Sequence, residues 1–159
     1  MQIESIVPSQ RKALLDLAVR TGLFEAADAE ALLGSVVDGI SSQSLPRSHA
    51  AVSCRLAPGD AIAGWAYFAP DAYADHVWNL WWIGVLPEHQ GDGVGSALLA
   101  YVEEAARKAD GRILVIETSD KEPMARARLF YLKAGYSERG RLPDFYGDGE
   151  AKVIFSRRL

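Results

Sequence analysis

The residues most able to do chemistry are Gln90, Gly91, Asp92, Gly93, Val94, Gly95 and Ser96, in which three glycines alternate just where a helical pattern begins. Glycine is costly in a helix interior, so their placement needs a reason. The first amides of a helix have no intrahelical acceptor, and the helix dipole adds partial positive charge there. Glycine removes the Cβ that would hold an anion away from those amides. The stretch can cradle a phosphate, or it can simply form a tight turn; the glycines alone leave both open. A Walker-type loop needs a Lys and then Ser or Thr after its last glycine. Gly95 is followed by Ser96 and Ala97, which excludes it. A dinucleotide fingerprint needs G-x-G-x-x-G, whereas the spacing here is G-x-G-x-G, placed mid-chain after an antiparallel-looking meander.

A third pattern fits. Residues 90–95 match Q/R-x-x-G-x-G/A, preceded by "IGVLPEH" and followed by "SALL". Some thirty residues on comes a second block, residues 125–131 followed by "LKAGY". Together they resemble the GNAT superfamily of N-acetyltransferases, over roughly residues 78–159 by motif and over the earlier elements by their order. The resemblance implies acetyl-CoA as acyl donor. Its pyrophosphate would lie on the backbone of residues 91–96, with Gln90 at the family's Q/R position. Ile83, Gly84 and Val85 would pair with the pantetheine arm along a strand that splays from its neighbour. The Val85 N–H would polarise the thioester carbonyl, and Tyr131 would protonate the departing thiolate. Arg128 and Lys133 are expected at the outer phosphates. Two departures stand out. Met124 occupies a position where many members carry an Asn, so Thr118 or Ser119 is expected to hold the arm instead. Asp92 lies inside an anion loop, so its side chain is expected to point away from the phosphates.

Acetyl transfer requires a neutral amine, hence a base or a water chain. Glu117 is the first candidate base, with Asp75 and His76 behind it, and Asn79 can hold a water. Trp81 and Tyr146 are expected to wall the acceptor site; Trp81 and Trp82 must point to opposite faces of their strand. Phe130 is the expected core aromatic beside Tyr131. Cys54 reads as a small buried hydrophobe, so transfer is expected to be direct, without an acyl-cysteine. No Lys or Arg occurs between Arg55 and Arg107, an interval that includes Asp60, Asp71, Asp75, Glu88 and Asp92. That charge bias favours a small cationic amine as acceptor. A non-catalytic CoA-binding or sensing module is the alternative, and a mononucleotide-binding protein a third.

These groups need a scaffold. The 159 residues, 49% hydrophobic and 24% charged, suit one domain spanning 1–159. The pattern predicts a strand at 2–7, a helix from a Ser9 cap to Gly22, and a helix over 25–40. Strands follow at 50–57, 61–69 and 76–86. Beyond the glycines come a helix, a strand at 111–119, a helix stopped by Gly135, and strands at 136–142 and 150–159 joined by a loop at 143–149. The fold class is therefore α/β: a GNAT-like, mostly antiparallel twisted sheet with a central parallel pair, flanked by about four helices. The net charge of -4 argues against nucleic acid. No signal peptide or membrane span is legible, so a cytoplasmic protein is expected. A homodimer is left open. His89 reads as an exposed loop residue with no metal-ligand spacing, and Arg157 and Arg158 as a solvated end.

Overall fold

A computed structural model describes every residue from Met1 to Leu159. In chain order the elements are β1 (Gln2–Ser5), α1 (Arg11–Arg20), α2 (Ala26–Ala29), α3 (Ser35–Ser41), β2 (Ala50–Arg55), β3 (Gly64–Pro70), β4 (Val77–Val85), α4 (Val94–Lys108), β5 (Ile113–Ser119), α5 (Ala125–Lys133), β6 (Ser137–Gly147) and β7 (Glu150–Arg158). A π turn, Glu30–Gly34, joins α2 to α3 in one helical run, so four helical segments accompany seven strands. The chain forms two compact units, Met1–Ala69 with Trp82–Val102 and Pro70–Trp81 with Glu103–Leu159. Both β4 and α4 pass from one unit into the other.

In the first unit the strand order is β1-β2-β3-β4, with β1–β2 and β2–β3 antiparallel. α1 presents Leu14, Leu15, Leu17 and Ala18 to a core shared with Leu33, Val37, Trp65, Tyr67 and Trp82. The Trp65 indole donates to the Leu14 carbonyl at 3.1 Å, so the buried N–H is satisfied. Ser9 is not the helix cap. A short 3-10 turn over Pro8–Gln10 leads into α1, and the Gln10 side-chain oxygen accepts from the Val7 N–H at 3.0 Å. Arg11 bridges Glu30 and Asp38, tying α1 to the π turn and α3. On the other face, a Cβ at Gly64 would come within 2.8 Å of Val94 and 2.9 Å of the Gly84 carbonyl. The missing side chain lets the start of α4 lie close on the strands, which fixes the glycine loop in place.

In the second unit the order is β4-β5-β7-β6. β4 and β5 are parallel, from Val77↔Ile113 to Leu80↔Ile116, and β5–β7 and β6–β7 are antiparallel. Residues 143–147, expected as loop, belong to β6. Pro143 is tolerated because β6 is the edge strand, and a register shift between Leu142 and Gly147 absorbs it. Arg157 is no solvated end. Its Nη1 donates to Glu103 at 3.2 Å and to the Ala134 carbonyl at 3.0 Å. Glu103 is buried, and it also accepts from the Tyr136 hydroxyl at 2.9 Å and from Arg107 at 3.3 Å. A buried carboxylate survives only with such partners. No helix is long and apolar enough to cross a membrane.

Candidate active site

In the first unit, β4 delivers Ile83, Gly84 and Val85 to the loop that precedes α4. Along this strand Trp82 and Gly84 are buried while Ile83 and Val85 are partly exposed, as alternation requires. A Cβ at Gly84 would collide with the Trp82 indole. A 3-10 turn, Pro87–His89, reverses the chain, and the Gln90 amide reaches back to the Val85 carbonyl at 3.4 Å.

Gly91 and Gly93 then take φ of +107° and +86°, values that side-chain-bearing residues rarely adopt. An added Cβ would have open space at Gly91 and only Met1 near it at Gly93, so conformation, not crowding, requires glycine there. Val94, Gly95 and Ser96 open the fifteen-residue α4. Its bonding starts with Ala97 N–H to Gly93 O at 2.9 Å, so the amides of Val94, Gly95 and Ser96 precede the first helical hydrogen bond. Asp92 Oδ2 lies 3.2 Å from His89 Nδ1, so its carboxylate is engaged with the imidazole on the turn side. The loop is thus a set of oriented amides with its one acidic side chain drawn toward His89.

In the second unit, Tyr131 is the buried aromatic of α5 and Phe130 only half-buried, the reverse of the expected division. The Tyr131 ring packs 5.8 Å from Phe155 and 6.3 Å from Tyr136. Burial pushes its hydroxyl well above the ordinary tyrosine range, so it is a protonated donor at neutral pH. Arg128 Nη1 donates to the carbonyls of Ser119 and Lys121, both at 2.8 Å, which binds α5 to the end of β5. Lys133 is exposed in the last turn of α5.

Glu117, on β5, meets Lys152 Nζ at 2.6 Å. That ammonium also lies 3.7 Å over the Phe145 ring, a cation–π contact. The Tyr146 hydroxyl is raised by burial first and then by the charges of Glu117 and Glu150. The second unit therefore gathers Glu117 and Tyr146, together with Lys152 and Phe145, which the sequence reading missed. Lys152 carries no local motif; only the β5–β7 pairing brings it to Glu117. Asn79 is buried and its amide donates to Asp71 at 3.1 Å, holding the loop ahead of β4. Trp81 is half exposed. Asp75 and His76 face each other at 3.4 Å on the surface.

Comparison with known proteins bears on both halves. The acetyltransferase (GNAT) domain profile matches residues 49–138. A crystal structure of a protein assigned to the GNAT family, from Desulfovibrio desulfuricans, superposes with a TM-score of 0.91 and 30% identity, covering 99% of this chain and 98% of the other. An aminoglycoside 6'-N-acetyltransferase complexed with coenzyme A shares the fold with a TM-score of 0.78 at 18% identity, covering 99% and 97% of the two chains. Aminoalkylphosphonate N-acetyltransferase of Salmonella typhimurium is 38% identical over 69 residues, which is 40% of this chain and 44% of that protein. The match thus spans less than half of that relative's length.

Proposed function

The chain belongs to the GNAT family of acetyltransferases, and from that premise we propose that it moves an acetyl group from acetyl-CoA directly to a primary amine. The observation that carries this reading is the loop of residues 91–96: two positive-φ glycines, uncommitted first-turn amides, and an Asp92 carboxylate held by His89. These amides suit the pyrophosphate of the donor. On this reading Gln90 braces the loop against Val85, and the backbone of Ile83, Gly84 and Val85 aligns the pantetheine arm. The Val85 N–H supports charge growing on the thioester oxygen. Tyr131 gives its proton to the departing thiolate sulfur; burial holds that proton more tightly than in an ordinary tyrosine, so the transfer depends on the charge developing on sulfur against the hydroxyl.

Glu117 is the proposed base that takes the amine proton, a role that requires Lys152 to give up its hold on the carboxylate, and Trp81, Tyr146 and Asn79 line or brace the acceptor side. The Lys152 ammonium against Glu117 and Phe145 is itself an alkylammonium held by a carboxylate and a ring. A cationic acceptor would compete with that lysine for Glu117; the support for a small cationic amine is the acidic interval between Arg55 and Arg107, which holds no Lys or Arg. Lys133 is available to the outer phosphates; Arg128 can serve there only through the part of its guanidinium that does not hold the Ser119 and Lys121 carbonyls.

The test is a screen of an amine library for release of CoA thiol, with mass spectrometry of the product. Acetylated amine with stoichiometric thiol is expected. Tight CoA binding with no thiol release across the library would point instead to a CoA-binding or sensing module. Direct transfer has its own check. Cys54 is fully buried on β2 and burial raises its thiol pKa, so Cys54→Ala should keep full turnover. A trapped acetyl-Cys54 would overturn the direct route.

A further inference from the structure

The family resemblance puts an asparagine amide at position 124, where this chain has Met124, and a thioether cannot replace an amide as a hydrogen-bonding group. The two hydroxyls at the end of β5 differ in what they already do. Ser119 Oγ donates to Glu150 at 2.5 Å and accepts from the Lys121 N–H at 3.1 Å. It is committed. Thr118 Oγ1 is buried and has no hydrogen-bond partner, with the residue only 5% exposed. A buried hydroxyl without a partner is costly, and proteins rarely keep one without cause.

Its surroundings say which cause. Thr118 pairs with Val153, and two residues earlier Ile116 pairs with Phe155. Side chains two apart share a face, and Tyr131 packs on Phe155. Thr118 therefore stands on the face that carries Tyr131. The last β4–β5 pair is Leu80↔Ile116, two residues before it. The orphan hydroxyl sits just past the end of the parallel ladder, on the side of the candidate acid.

We infer that Thr118 Oγ1 is the side-chain group that hydrogen-bonds an amide of the pantetheine arm, in place of the contact that Met124 cannot make. This rests on the acetyl-CoA reading above. A hydroxyl suits a secondary amide because it can donate to the C=O or accept from the N–H. Thr118→Val keeps the shape and removes only the polar atom. Isothermal titration of the variant with acetyl-CoA should show Kd raised about five- to ten-fold. The ligand-free variant should melt no lower than the wild type, and by up to about 4 °C higher, since an unsatisfied group is gone. Thr118→Ser restores the hydroxyl and should bind within about two-fold of wild type, and Ser119→Ala should do the same. Wild-type affinity in Thr118→Val overturns the inference and leaves the donor reading standing. A wild-type protein that binds neither acetyl-CoA nor CoA overturns the donor reading, and this inference with it.

Discussion

The glycine loop of the first unit and the β5–β7 face of the second do different kinds of work. On the proposed reading the loop acts through backbone amides. Its capacity depends on which residues permit φ above zero, and the residue types state that openly: Gly91 and Gly93 take +107° and +86°. The β5–β7 face acts through side chains, and there capacity depends on what each group is already bonded to. Glu117 is occupied by Lys152 and Ser119 by Glu150 and Lys121, while Thr118 is unoccupied. Two adjacent hydroxyl-bearing residues, Thr118 and Ser119, end with opposite chemical availability.

That contrast can be broken most sharply at Tyr131. Tyr131→Phe should lower kcat by about 100-fold or more, the range of a lost general acid, while KM for acetyl-CoA changes little. Unchanged kcat would remove Tyr131 from the acid role and leave the loop as the only functional half. Next is Gly93→Val, which forces a β-branched residue to a φ of +86° at a cost of about 1–3 kcal/mol. An added Cβ meets only Met1, so backbone strain is the effect the change is chosen for. Acetyl-CoA Kd by titration should rise about ten-fold or more as the amides lose their aim. Unaltered Kd would mean that the loop does not bind the donor.

The third test concerns pH. Burial raises the hydroxyls of Tyr131 and Tyr136 above the ordinary tyrosine value, and Glu103 adds to the effect at Tyr136. A raised folded-state value means that the unfolded chain ionises first. The stabilisation is complete below about pH 10 and is lost as pH rises above it. Melting temperature should therefore hold from pH 7 to 9, as far as these two groups decide it, and fall beyond about pH 10. Tyr131→Phe should soften that fall, and a fall of unaltered steepness would count against burial as the cause. The smallest effect belongs to Asp92→Asn. With the carboxylate turned to His89, donor affinity should stay within about two-fold. A ten-fold tightening would place the charge against the phosphates and sink the geometry proposed for the loop.

The order of elements, the parallel β4–β5 pair and the loop were legible in the chain because they follow from period, turn chemistry and glycine placement. β6 was misread past residue 142, since Pro143 signals a loop unless the strand is known to lie at an edge. Phe130 was expected in the core, yet Tyr131 is the more buried of the two, because adjacent helical positions differ by about 100° and the local sequence does not say which one faces the core. Arg157 looked like a solvated end until Glu103, 54 positions away, accepted its guanidinium.

By itself the sequence determined where the chain takes up its glycine-dependent turn, the proposed anion site, since backbone conformation is a local property of residue type. It also determined the family, through two motifs at fixed separation. The tertiary structure alone decided which polar side chains remain available. Pairings such as Glu117 with Lys152 and Ser119 with Glu150 join residues more than thirty positions apart, and no local pattern encodes them. Chemical availability is set by hydrogen-bond partners brought in by strand register, and that is why Thr118 became visible only in the folded chain.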